Sequence, residues 1–128
     1  MEPHYQMPDY CSMKLINNCA MDVSFGYTSE FKKQIKHLYK KYASLPSDYK
    51  KLLDELTQNP FLGTDLGNGI RKVRMAIKSK GKGKSGGARV ITYILEKKAE
   101  DIHIDLLTIY DKSEIDAVTD DYIKSLIL

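Results

Sequence analysis

Tryptophan is absent from this chain of 128 residues, cysteine occurs only twice, and no apolar run approaches the ~20 residues a membrane helix needs. Both thiols, Cys11 and Cys19, fall in the first twenty residues. A disulfide there would brace no core, and neither thiol has a partner at zinc-ligand spacing. The opening residues also lack the basic stretch followed by an apolar one that marks a secretory leader. These absences exclude a disulfide scaffold and a structural zinc centre. The expectation is a cytoplasmic, reduced protein with no membrane partner, no metal and no cofactor.

The absence that bears most on function is of acid. No Asp or Glu occurs between Ile70 and Leu95, a stretch that holds eight Lys and Arg. Residues 96–128 reverse the balance, with four bases and nine acids, so the formal net charge of +3 hides a strong asymmetry. A solvated surface mixes both signs; an acid-free cationic stretch suggests a polyanion partner. Four of the eight glycines lie between Gly81 and Gly87, which gives the middle of that stretch a mobile backbone.

The length and the 42% hydrophobic content suit one domain with one modest core. Pro3 and Pro8 interrupt residues 1–20, which show no helical or strand period and read as a disordered or adventitious extension. The domain is expected over residues 21–128. Val23, Phe25 and Tyr27 alternate as in a short strand. Thr28 or Ser29 can cap a helix in which Phe31, Ile35, Leu38 and Tyr42 share a face. Pro46 and Ser47 mark a turn, and a second helix through Tyr49, Leu52, Leu53 and Leu56 stops at Asn59-Pro60. A glycine-rich turn (Gly63, Gly67, Gly69) precedes a strand with Arg71, Val73, Met75 and Ile77 on one side and Lys72, Arg74, Ala76 and Lys78 on the other. Ala88 to Leu95 and Ile102 to Tyr110 read as central strands, and a short helix runs through Tyr122, Ile123, Leu126 and Ile127. The order β-α-α-β-β-β-α predicts an α+β fold: a helical hairpin packed on a small antiparallel β-sheet, with a short C-terminal helix.

On such a strand Lys72 and Arg74 stand about 7 Å apart, close enough to repel unless an anion lies between them. If the three strands are neighbours, Lys72, Arg74, Arg89, Tyr110 and Lys112 could line one face. Metal-free RNA cleavage needs a base for the 2′-OH proton, donors around the phosphorane and an acid for the leaving 5′ oxygen. An ammonium crowded by like charge gives up its proton more readily, a guanidinium forks onto phosphate, and a phenol offers both a hydroxyl and a stacking ring. His37 and His103 fall away from this set and read as structural or exposed.

Four blocks occur in order: Asn59-Pro60-Phe-Leu-Gly63-Thr-Asp-Leu-Gly67-Asn-Gly69, Arg71-Lys-Val-Arg74, Lys80-Gly-Lys-Gly-Lys-Ser-Gly-Gly-Ala-Arg89-Val-Ile-Thr-Tyr93 and Leu106-Leu-Thr-Ile-Tyr110-Asp-Lys112-Ser-Glu114. Together they resemble the RelE/ParE superfamily of type II toxin–antitoxin toxins, closest to its HigB-like and RelE-like branch, over residues 21–128. The resemblance implies a RelE-like microbial RNase fold and a metal-independent endoribonuclease, an mRNA interferase that cuts mRNA on the ribosome and blocks translation. It implies rRNA contacts and a cognate antitoxin, for which a helix-turn-helix protein is one form, with operator DNA reached only through that antitoxin. It matches the family's strand cations to Lys72 and Arg74 and its next-strand arginine to Arg89. The C-terminal functional residues fall around Tyr110 to Ser113, with Lys112 as the cation. RelE has a catalytic tyrosine in its C-terminal tail; Tyr122 is off that spacing and is not given the role. The ParE-like branch shares the fold but acts on DNA gyrase, so a non-enzymatic toxin, or an inactive remnant that binds antitoxin or RNA, stays open.

Arg71, Lys78, Lys80, Lys82 and Lys84 are expected to hold RNA phosphates and not to catalyse. Gly83-Lys84-Ser85 is not a nucleotide phosphate loop, because position 78 is lysine and a strand follows where that motif needs a helix. Asp111 and Glu114 could orient Lys112 or simply form surface ion pairs. The tyrosines at 39, 42, 49 and 93 read as core or interface residues.

Overall fold

The computed structural model describes residues 22–98 and 101–127, so the expected extension at residues 1–20 lies outside them. Strand β1 (Asp22–Tyr27) leads into helix α1 (Ser29–Lys41). The Thr28 hydroxyl caps this helix, accepting from the Phe31 N–H at 2.9 Å, while donating to the Leu107 carbonyl at 2.7 Å. One side chain therefore starts the helix and ties it to the sheet. Phe31, Ile35 and Leu38 are buried; Lys40 and Lys41 lie in the last turn, where cations complement the helix dipole. Helix α2 (Leu45–Gln58) begins with a proline in its first turn, buries Tyr49, Leu52, Leu53 and Leu56, and stops before Asn59.

Strands β2 (Thr64–Gly67), β3 (Ile70–Met75), β4 (Ala88–Lys98) and β5 (Asp101–Asp111) follow, and helix α3 (Asp120–Ser125) closes the chain. The α+β architecture is the expected one, with a helical hairpin on a sheet and a short C-terminal helix. Two features differ. The glycine-rich turn contains an additional strand: β2 and β3 form a hairpin across Asn68 (φ 55°) and Gly69 (φ 82°), the left-handed pair that a tight two-residue turn requires. The sheet, expected to be antiparallel, is mixed. Its order is β1-β5-β4-β3-β2, and β1 runs parallel to β5, with Val23 opposite Ile102 and Phe25 opposite Ile104. The helical hairpin and strands β2 to β4 together make the long connection by which the chain returns parallel to β1.

The main core lies between the helices and one sheet face, where Val73, Met75, Val90, Ile104 and Leu106 meet Phe31, Leu38, Tyr49, Leu52 and Leu56. On the opposite face a smaller cluster of Ile70, Ile91, Leu107 and Tyr110 is covered by Ile123 of α3. Among the described residues no helix is long and apolar enough to cross a membrane.

Candidate functional site

Sheet register decides which of the cations meet. Arg74 on β3 stands opposite Arg89 on β4, and Arg89 opposite Tyr110 on β5. Lys72 pairs with Ile91 on the same face, which is the one turned away from α1 and α2. Tyr110 joins this row only because of an irregularity in β5. Ile102, Ile104 and Leu106 point to the helices, a phase that would carry Tyr110 there too. The β4–β5 register slips between Ile91 and Thr92, whose partners are Thr108 and Leu106, so Leu107 is an extra residue. That bulge resets the alternation: Ile109 now faces the helices and Tyr110 faces out beside Arg89.

Arginines directly opposite one another repel. The structure relieves this by turning Arg89 aside. Its Nη1 donates to the carbonyls of Lys84 (3.0 Å) and Ala88 (3.2 Å), and its Nη2 to Ser85 (3.0 Å). Three hydrogen bonds occupy most of its five donors, and the residue is only 7% exposed. Arg89 thus fastens the glycine–lysine loop and lends its charge to the site from below. Arg74 is exposed and Lys72 half-buried.

Tyr110 is 3% exposed, and its hydroxyl has no hydrogen-bond partner. Burial pushes the phenol pKa up, opposed by the charges of Arg89 and Lys112 and assisted by Asp116. Lys112 follows β5; its N–H donates to the Gly87 carbonyl at 3.0 Å, and its ammonium to Asp116 Oδ1 at 2.5 Å and the Asp116 carbonyl at 2.9 Å. Lys72, Arg74, Arg89, Tyr110 and Lys112 therefore gather at one end of one face. Lys112 pairs with Asp116 and not with the expected Asp111 or Glu114: Glu114 pairs with Lys41 at 2.7 Å and Asp111 with Lys80 at 2.6 Å. A Lys–Asp spacing of four was the available signal.

The five residues assigned to RNA phosphates separate. Arg71 points to the helix side, where its guanidinium holds the carbonyls of Leu62 (3.3 Å) and Gly63 (2.8 Å) at the entrance to β2. Lys84 meets Glu55 of α2 at 3.2 Å. Lys80 is folded inward: its side chain is 8% exposed, bonded to Asp111 and to Ser113 Oγ (3.2 Å), and 5.7 Å from the centre of the Tyr42 ring. Only Lys78 and Lys82 of the set are exposed without such a tie to an acid or a backbone carbonyl among the described contacts. β3 ends at Met75, so Lys78 does not continue its outer face but opens a short 3-10 turn, Lys78–Lys80. The root of the loop, expected to be mobile, is docked on the helical hairpin: Ser44 and Ser79 exchange backbone-to-hydroxyl bonds of 2.9 and 2.8 Å, and Asp48 accepts from the Lys78 N–H at 3.1 Å.

Asp111 anchors all this. Burial would raise its pKa, yet hydrogen bonds from Lys80, Tyr42 and Ser113 hold the carboxyl well below the usual carboxylate range. Beside it, an apolar cavity of about 260 Å³ is lined by Gln34, His37, Ile109, Tyr110 and Ile115. His103 lies at the other end of β5, between Ser24 Oγ (2.8 Å) and Asp105 Oδ1 (2.7 Å). Among the described residues no three His, Cys, Asp or Glu side chains gather as a metal-ligand set. No protein-family model matches the chain.

Proposed function

We propose that this chain is the toxin of a type II toxin–antitoxin system, an mRNA interferase of the RelE/HigB kind that cuts ribosome-bound mRNA without a metal. The observation that carries the reading is the Arg74–Arg89–Tyr110 row, flanked by Lys72 and Lys112, on the sheet face left free of the helical hairpin. The four sequence blocks support it, and the bulge in β5 sets Tyr110 of the last block beside Arg89 of the third. In this reading the 2′ oxygen attacks the adjacent phosphorus, the P–O5′ bond breaks, and the products carry a 2′,3′-cyclic phosphate and a 5′-OH. Lys72, in its free-amine form, takes the 2′-OH proton to become the ammonium, and Arg74 offers a fork to the phosphate oxygens. Arg89 contributes field more than direct contact, since its donors hold the loop. Tyr110 and Lys112 face the leaving side, where a buried phenol can give a proton to O5′. The protein works in the cytoplasm, and an antitoxin silences it by covering the cationic face.

Lys72→Ala and Arg74→Ala make the sharpest test, because neither side chain holds the fold through a contact described above. Induction of the wild type should arrest growth and leave mRNA 5′ ends in codon register; each variant should lose both. Full toxicity in both variants overturns the site. DNA-damage signalling without mRNA cuts would instead identify a gyrase-directed toxin.

A further inference from the structure

Beyond β5 the chain turns back over the cationic face. The N–H groups of Glu114 and Ile115 both donate to the Asp111 carbonyl at 3.0 Å, and this tight turn brings Asp116 over Lys112. The same residue holds the ammonium twice, by carboxylate and by carbonyl. The charge of Asp116 also reaches two other members of the site. With the Lys112 hydrogen bond as the main cause, the charge of Lys72, two strands away, helps keep the Asp116 carboxyl below its ordinary range, and Asp116 in turn acts on the Tyr110 phenol. A carboxylate thus sits on one ammonium group, that of Lys112, and acts at longer range on Lys72 and on the unpartnered, buried hydroxyl of Tyr110. A site built from these groups is expected to hold an anion, and this chain supplies one itself.

We propose that Asp116 is a built-in competitor for the substrate phosphate: its carboxylate occupies the anion position on Lys112 and must swing away before RNA enters. The inference rests on the reading of this face as an RNA site and adds a selectivity device to it. A carboxylate and a phosphodiester each present two oxygens and one negative charge, so they compete for the same donors. The side chain of Asp116 is 95% exposed, and an exposed ion pair of this kind is held loosely. A free phosphate meets a position already filled at high local concentration. A polynucleotide, engaging Arg74 and the exposed loop lysines at the same time, can displace the carboxylate. Asp116 therefore selects long single strands over small anions.

The test is Asp116→Asn in the full chain, which keeps the shape and removes the charge. Binding of a short single-stranded RNA, followed by fluorescence anisotropy over a range of salt, should be several-fold tighter for Asp116→Asn. Its dependence on log salt should be steeper by about 0.7, one added phosphate contact. Inorganic phosphate should shift the Tyr110 ring resonances in the variant at concentrations that leave the wild type unchanged. The gain should vanish when Lys112→Ala is combined with Asp116→Asn. Equal or weaker RNA binding by the variant, or a gain that survives loss of Lys112, overturns the proposal. If neither protein binds RNA but phosphate reaches Tyr110 only in Asp116→Asn, the RNA reading falls while the competitor stands. If phosphate is also without effect there, both fall.

Discussion

Lys80 and Lys82 are two residues apart on the same glycine-rich stretch, and at the scale of single residues they have opposite roles. Lys82 is exposed, whereas Lys80 is withdrawn into an ion pair with Asp111, whose own side chain is 1% exposed. Tyr42 and Ser113 fill the remaining acceptor sites of that carboxylate, so the pair is paired and hydrogen-bonded, the condition under which burial of charge is tolerated. Removing one partner from a buried pair costs about 3–5 kcal/mol when the other is left alone; here Lys41, 3.8 Å from Asp111 Oδ2, remains as a second cation, which puts the loss at the lower end of that range. Lys80→Met should show a loss of that order in urea unfolding at neutral pH. The pH dependence has a definite sign. The folded wild type holds the Asp111 carboxyl low, so this group contributes stability above the ordinary carboxylate pKa of about 3.9, and that contribution is lost as pH falls through the folded value. In Lys80→Met the push from burial is less opposed, the folded pKa rises, and acid neutralises the weakened carboxylate site. The stability gap between the two proteins should therefore narrow as pH is lowered; a constant gap would show that Lys80 acts through packing alone.

At the scale of elements, the hairpin between β3 and β4 depends on how closely its ends approach. A Cβ on Gly87 would lie 2.1 Å from the Met75 carbonyl oxygen and 3.0 Å from the Ala76 Cα, backbone atoms that cannot step aside. Gly87 also accepts from the Lys112 N–H, so any shift there moves the site cation as well. Gly83, by contrast, has a left-handed φ of 65° but open space around it. Gly87→Ala should cost about 3 kcal/mol through overpacking, and Gly83→Ala only about 1 kcal/mol of backbone strain. Thermal or urea unfolding of the two variants checks the order. Similar losses would mean that the loop root yields more readily than its geometry indicates. The Asn68-Gly69 turn and the Leu107 bulge are the other two devices at this scale: the first adds an edge strand, and the second turns Tyr110 to the face of Arg89.

In the whole molecule, charge is sorted by layer. The helical hairpin covers one sheet face; on the other, α3 covers the middle and the cations of β3 and β4 occupy one end. The eight bases of residues 70–95 do not form one patch, because Arg71, Lys80, Lys84 and Arg89 spend hydrogen bonds or charge on holding the loop and the β2 entrance in place. Two exposed loop cations, Lys78 and Lys82, remain for docking. Replacing both by alanine should lower the slope of log binding against log salt for single-stranded RNA by about 1.4, at about 0.7 per contact, without loss of stability. An unchanged slope would remove these residues from the RNA interface.

Much of this was already written in the chain. Periodic apolar residues, the Thr28 cap and the Asn59-Pro60 stop determine both long helices, because helix ends are local chemistry. Alternation places Lys72 and Arg74 on one face, because a strand repeats every two residues. The turn of the β2 hairpin is legible too, since Asn-Gly is a strong turn signal, but β2 itself buries no face and leaves no alternation to mark it as a strand. Other features required the tertiary structure. The parallel partner of β1 depends on a contact about eighty residues away. Tyr110 reaches the cationic face through a bulge that pairing with β4 creates, against the phase its own sequence suggests. Asp116 meets Lys112 because a turn folds back, and Lys80 leaves the surface because Asp111 and Tyr42 converge beneath it. Sequence determined which residues carry charge and which face of an element they can share. Long-range pairing alone decided which charges serve the fold and which remain for a ligand.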